Sequence, residues 1–199
     1  MKKTGISLIL AGILLLIGSA GLTAYNIADS MRARRAAEAI LGPIADAIDK
    51  QEPSSFVRPD GDAVPEMPVR EQDGLRYIGI IEIPALSISL PVLESWSYNY
   101  LKISPCRYAG SYFTNDLVIC AHNYGAHFSG LRYVDIGSDV YFTAVTGQTF
   151  HYVIDNRETL TPTENDRMIT SNGEWDLTLF TCYIGGRTRC TLRCSLVSE

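Results

Sequence analysis

Cys182 closes a run of β-formers, Asp176-Leu177-Thr178-Leu179-Phe180-Thr181-Cys182. The turn-forming Tyr183-Ile184-Gly185-Gly186 follows, and a second β-prone run begins at Arg187. Two such runs around a glycine pair read as a hairpin. Side chains alternate along a strand, so Thr178, Phe180 and Cys182 share one face, and Leu177, Leu179 and Thr181 the other. In the returning run Cys190, Leu192, Cys194 and Leu196 make an apolar face, while Arg187, Arg189, Thr191 and Arg193 make a basic one. The hairpin therefore returns guanidinium groups toward a thiol at a strand end, beside a loop. Cations favour the thiolate, the nucleophilic form, so the chemistry on offer is attack on a carbonyl through a covalent intermediate. The competing reading makes Cys182 one more small apolar residue in a β core.

Such a nucleophile needs a proton carrier. Leu117-Val118-Ile119-Cys120-Ala121-His122-Asn123 reads as a strand whose alternation puts Val118, Cys120 and His122 on one face, about 60 residues before Cys182. A lone histidine at a strand end is more often structural, and His127 and His151 are read as structural or surface residues. A metal site built from Cys120, His122, His127 and Cys182 is the alternative use of these side chains, but their spacing fits no common zinc pattern. No metal and no organic cofactor is expected, and no carboxylate cluster stands out for calcium. Five cysteines are an odd number: one free nucleophile and up to two disulfides outside the cell. Cys190 and Cys194 are read as core residues. Cys120 is placed near enough to Cys182 for a regulatory disulfide.

These residues must be held by a scaffold, and 199 residues with 46% apolar content suffice for one domain plus appendages. The net charge of −5 excludes a basic nucleic-acid footprint. Met1-Lys2-Lys3 precedes an uncharged run from Thr4 to Ala28, long enough to cross a bilayer. A signal peptide cut near Gly18-Ser19-Ala20 is the competing reading. Lys2 and Lys3 balance Arg32, Arg34 and Arg35, so charge does not decide the orientation. Residues 30–50 have a helical pattern, expected to break at Gly42-Pro43 and to lie as a stalk near the membrane surface. Residues 51–74, with four prolines and an acidic excess, read as an extended linker, with a lid over the domain as the alternative. The expected division is an anchor over 1–28, a juxtamembrane helix and linker over 29–74, and a catalytic domain over 75–199. Within that domain strands are expected at 77–84, 85–92, 139–144 and 149–154, with a short helix or turn at 94–102 packing Trp96 and Leu101 inward. Residues 159–172 are expected as a loop or short helix.

Thr178-Leu179-Phe180-Thr181-Cys182, followed by an Arg at the next strand, resembles the Thr-Leu-x-Thr-Cys…Arg signature of the sortases, the cysteine transpeptidases of Gram-positive bacterial surfaces. Ile81-x-Ile83-Pro84 with Leu90-Pro91-Val92 resembles the opening strands of that family. The turn–strand–Ala121-His122-Asn123 segment resembles its histidine segment. The resemblance covers residues 77–197 and implies an all-β, closed eight-stranded barrel with short helices, preceded here by one transmembrane helix. It implies that Cys182 attacks a carbonyl in a Leu-Pro-x-Thr-Gly-like C-terminal sorting signal. His122 protonates the leaving amine and later deprotonates the incoming one, and Arg189 binds substrate and the oxyanion. Arg187 faces the same way as Arg189, so alternation does not choose between them. Arg189-Cys-Thr-Leu-Arg resembles the start of the family's final strand and is preferred on that ground. Thr181 reaches substrate only if the strand end twists.

The partners so implied are surface proteins bearing sorting signals, an amine acceptor of the cell wall, and the membrane. The barrel is expected outside the cytoplasm on a single-pass anchor. A class B or class D type is expected. Cell-wall anchoring is expected over pilin polymerisation, because the linker has no aromatic-Asp-Pro-aromatic lid motif and the chain has no second apolar span. An extracytoplasmic cysteine protease using water as acceptor, or a catalytically silent membrane-tethered adaptor, are the competing functions.

Overall fold

The computed structural model describes residues 2–50, 65–183 and 185–197. Helix α1 runs unbroken over Lys2–Asp49. Its first half is exposed and apolar, and the helix is long and apolar enough to cross a membrane. Its second half carries Ala33, Ala37, Ile40, Ile44 and Ile48 at three- and four-residue spacing, and this stripe is buried. The break expected at Gly42-Pro43 does not occur, and Pro43 lies inside the helix. A mid-helix proline costs about 3 kcal/mol. Burying three isoleucines at roughly 1.5–3 kcal/mol each offsets that cost. The segment is thus packed on the β-structure and is not a free stalk.

Most of the expected linker falls on residues 51–64, outside the described residues. Beyond it the chain is engaged with the barrel before Leu75. Met67 is buried in the core, and β1 (Arg70–Gln72) pairs antiparallel with the start of β2 (Leu75–Ile83). The chain continues through β3 (Ile88–Leu93), β4 (Cys106–Ala109), β5 (Leu117–Ala121), β6 (Asp139–Ala144) and β7 (Thr149–Leu160). It then forms the short helix α2 (Asn165–Ile169), β8 (Leu177–Cys182) and β9 (Arg189–Leu196). The strand order β2-β3-β4-β5-β8-β9-β7-β6 closes by pairing β6 back onto β2, giving an eight-stranded barrel with β1 as an added edge strand. Closure needs a glycine: a Cβ at Gly79 would sit 2.3 Å from the Thr143 carbonyl oxygen.

Leu117, Ile119, Leu177, Leu179, Cys190, Leu192 and Cys194 fill the barrel interior with Phe142, Tyr152 and Ile154. A second apolar layer lies outside the wall. There Ile40, Ile44 and Ile48 of α1 and Met168 of α2 join Tyr77, Ile80, Leu93, Val118, Cys120 and Phe180. Both faces of β5 and β8 are consequently covered, as is usual for a parallel pair. Trp96 departs from expectation. Leu101 is buried, but Trp96 remains 42% exposed and packs on Tyr98 and Tyr108 at the surface. Strand β7 also runs past Ile154 to Leu160, because its second half pairs with β9 after a register shift.

Candidate active site

Parallel pairing of β5 with β8 aligns Leu117 with Leu177 and continues in step to Ala121 opposite Thr181. His122 follows directly on Ala121, just past the end of β5, as Cys182 follows Thr181 at the end of β8. On the other side of β8, Cys182 pairs directly with Arg189 of β9. Thiol and guanidinium residues thus pair across β8 and β9, and the imidazole residue follows the end of the neighbouring β5. Cys182 is exposed and a free thiol.

The hairpin turn fixes the β8–β9 side of this arrangement. Tyr183 N–H donates to the Thr188 carbonyl at 2.8 Å and Gly186 N–H to the Tyr183 carbonyl at 2.9 Å. Gly185 (φ 89°) and Gly186 (φ 68°) take left-handed backbone that side chains with a Cβ resist. Arg187 falls in this turn and is exposed, whereas Arg189 is the first residue of β9. The Arg189 guanidinium lies 5.8 Å from the Phe180 ring centroid, and its Nη1 donates to the Thr161 carbonyl at 3.5 Å. Phe180 and Cys182 share a strand face, so the cation stands over the face that presents the thiol. Arg193, on the same face further along β9, is taken up by other partners. It is buried, donates to Glu158 at 2.6 Å and Thr178 at 2.8 Å, and stacks on Trp175.

The β5–β8 side is fixed by Thr181, whose hydroxyl donates to the Ala121 carbonyl at 2.8 Å. That hydroxyl is buried between the strands and not turned to a substrate. Burial lowers the His122 pKa, Asp29 acts to raise it and Lys102 to lower it further. A neutral imidazole is therefore favoured, the form that takes up a proton from an attacking group. His127 is fully buried near Tyr124, and neither of its ring nitrogens has a hydrogen-bond partner. His151 is an outlying residue paired with Asp139 at 2.7 Å.

Cys106, Cys120, Cys190 and Cys194 are buried free thiols, and Cys106 and Cys120 are cross-strand neighbours. Cys120 donates to the Cys106 carbonyl at 3.5 Å, and burial drives its pKa up. Sequence reasoning missed Asp29 and Tyr124, which border His122 from the helix and from the loop after β5. No local pattern marks that pair.

A closed barrel with a thiol at one strand end and an imidazole at the next is the framework of a cysteine-dependent acyl-transfer protein. The sortase domain family matches residues 81–197, more than half of the 199-residue chain, and the chain belongs to the sortase family. Among solved structures it is similar to sortase C1 from Streptococcus suis, with 26% identity and a TM-score of 0.54, covering 62% of this chain and 74% of that one. Sortase E from Streptomyces avermitilis matches at 24% identity and a TM-score of 0.52, covering 61% and 88% respectively. Sortase C from Clostridium perfringens SM101 matches at 21% identity and a TM-score of 0.51, covering 88% and 91%. No curated protein matches the chain. Family membership makes this a cysteine transpeptidase in the general sense.

Proposed function

We propose that this chain is a membrane-anchored sortase that cleaves a Leu-Pro-x-Thr-Gly-like C-terminal sorting signal and transfers the acyl group to a cell-wall amine. The observation that carries this reading is that Cys182 pairs with Arg189 of β9 while His122 directly follows β5, the strand that pairs with β8 on its other side. In the first half-reaction the Cys182 sulfur bonds to the scissile carbonyl carbon, and the thiol proton passes to His122. The carbon–nitrogen bond then breaks as His122 returns that proton to the leaving amine, leaving a thioester. In the second, His122 takes a proton from the incoming amine as its nitrogen attacks the thioester. The carbon–sulfur bond breaks, and His122 passes its proton to the sulfur, which regenerates the thiol. Arg189 donates hydrogen bonds to the oxyanion formed in both halves. The apolar half of α1 is the anchor, and the barrel lies outside the cytoplasm.

The test uses the full chain in detergent micelles with quenched sorting-signal peptides, with and without oligoglycine. Amine-dependent product that vanishes in Cys182→Ala and His122→Ala supports the reading. Cleavage with no amine ever incorporated identifies a protease instead, and a broad panel without cleavage favours the adaptor.

A further inference from the structure

Helix α1 reaches the loop that follows His122. Asp29 is the first carboxylate after the apolar run, and Tyr124 donates its hydroxyl to Asp29 Oδ2 at 2.5 Å. The same Tyr124 ring lies against the His122 ring, with centroids 4.8 Å apart and planes inclined at 44°. The next residues are also close: a Cβ on Gly125 would meet Ser30 Oγ at 3.8 Å. The helix is held in this place by its buried Ala33, Ala37, Ile40, Ile44 and Ile48 stripe.

We propose that Asp29 is a positioning residue for His122, acting through Tyr124, so that docking of α1 sets the orientation of the imidazole. The proposal rests on the reading of His122 as the proton carrier. Two physical effects follow from the contact. Anchoring the Tyr124 hydroxyl fixes the ring plane against which the imidazole rests, which narrows the rotations open to His122. The Asp29 carboxylate favours the imidazolium, opposing burial and the Lys102 ammonium, which both favour the neutral ring.

The groups around His122 come from every neighbouring element. Asp29 belongs to α1, with Arg32 4.0 Å from its carboxylate. Lys102 closes the 3-10 turn at Tyr100–Lys102. Tyr124 and His127 stand on the same loop as His122, and Cys182 and Arg189 pair at the ends of β8 and β9. Asp29 is the carboxylate in this set. Tyr124 is itself kept protonated, by burial and by its bond to Asp29, so it remains a donor.

The experiment takes the full chain in micelles with labelled histidine. It records the NMR titration midpoint of His122 together with the pH profile of peptide transfer. The variants are Asp29→Asn, Asp29→Glu, Tyr124→Phe and Asp46→Asn, the last removing an exposed carboxylate elsewhere on α1. Asp29→Asn is expected to move the His122 midpoint and the matching limb of kcat/KM to lower pH. It should also lower kcat roughly 10-fold, part of the 10²–10⁴ that a placed acid–base group supplies, with KM little changed. Asp29→Glu should restore most of both, and Tyr124→Phe should lower kcat with a smaller midpoint shift. Asp46→Asn should match wild type. Wild-type transfer with an unmoved midpoint and unchanged kcat in Asp29→Asn overturns the proposal and leaves the proposed function standing. A moved midpoint in a protein that performs no transfer overturns the function, and leaves Asp29 as an electrostatic partner of His122 with no reaction to serve.

Discussion

Thr181 donates its hydroxyl to the carbonyl oxygen of Ala121 at 2.8 Å, and so ties together the two strands whose next residues are Cys182 and His122. Thr181→Val keeps the shape and removes the donor. It should cost about 1–2 kcal/mol in stability and lower kcat by roughly 10-fold through misplacement of the reacting groups. Thr181→Ser should recover both. Thermal unfolding and peptide turnover check this, and equal turnover in Val and wild type would remove the tie from the argument.

Arg189 stands opposite Cys182 in the ladder, while Arg187 is out in the turn. Arg189→Ala is expected to lower kcat by about 10²-fold, the loss typical of a missing oxyanion donor. Arg187→Ala should remain within about 3-fold, as surface substitutions away from a site do. Steady-state kinetics on both decide the matter; the reverse ranking would move the oxyanion donor to the turn.

The docked half of α1 should be measurable as stability. Ile44 is fully buried against the barrel, so Ile44→Ala should cost roughly 2–4 kcal/mol. A fragment starting at Leu75 loses the whole α1 stripe and Met67, exposing Tyr77, Ile80 and Leu93. It should bind a hydrophobic dye and melt at lower temperature than a fragment starting at Ser30. Equal melting temperatures would mean the helix adds nothing to the fold.

Stability should fall in mild acid through His127. Burial, with a contribution from His122, lowers its pKa from 6.5 to about 4 in the folded state. Between those values the unfolded chain binds more protons than the folded one. This contribution is therefore complete above about pH 6.5 and is lost as the pH falls toward 4. His122, lowered by burial, adds in the same direction. Denaturant unfolding at pH 7 and 5 should show wild type losing more stability than His127→Phe, and equal losses would count against the assignment.

The Cys182 hairpin and the His122 strand were legible because two-residue alternation and a glycine pair are local signals. The preference for Arg189 over Arg187 rested on analogy, and the structure adds that Arg189 is the one that pairs with Cys182. Alternation gives both the same face, and which one pairs with Cys182 depends on where the turn closes. The β5–β8 pairing joins residues 60 positions apart with an intervening hairpin and helix, and no local pattern encodes it. Gly42-Pro43 misled in the other direction: local propensity says break, and the buried stripe on either side overrides it. Trp96 looked like core because of its size, yet its neighbours Tyr98 and Tyr108 give it an apolar contact at the surface. Asp29 reads as the end of an apolar run, and its contact with Tyr124 joins residues 95 positions apart.

An unbroken α1 is a ruler where a disordered tether would be a leash. Asp29 follows directly on the last residue of the apolar run and touches the loop beside His122. With the apolar half embedded as proposed, the Asp29 contact holds the His122 loop close to the end of the membrane-spanning segment. A barrel on a loose tether would sweep a hemisphere and meet its peptides in three dimensions. Embedded as proposed, this one would patrol a thin sheet of space along the bilayer.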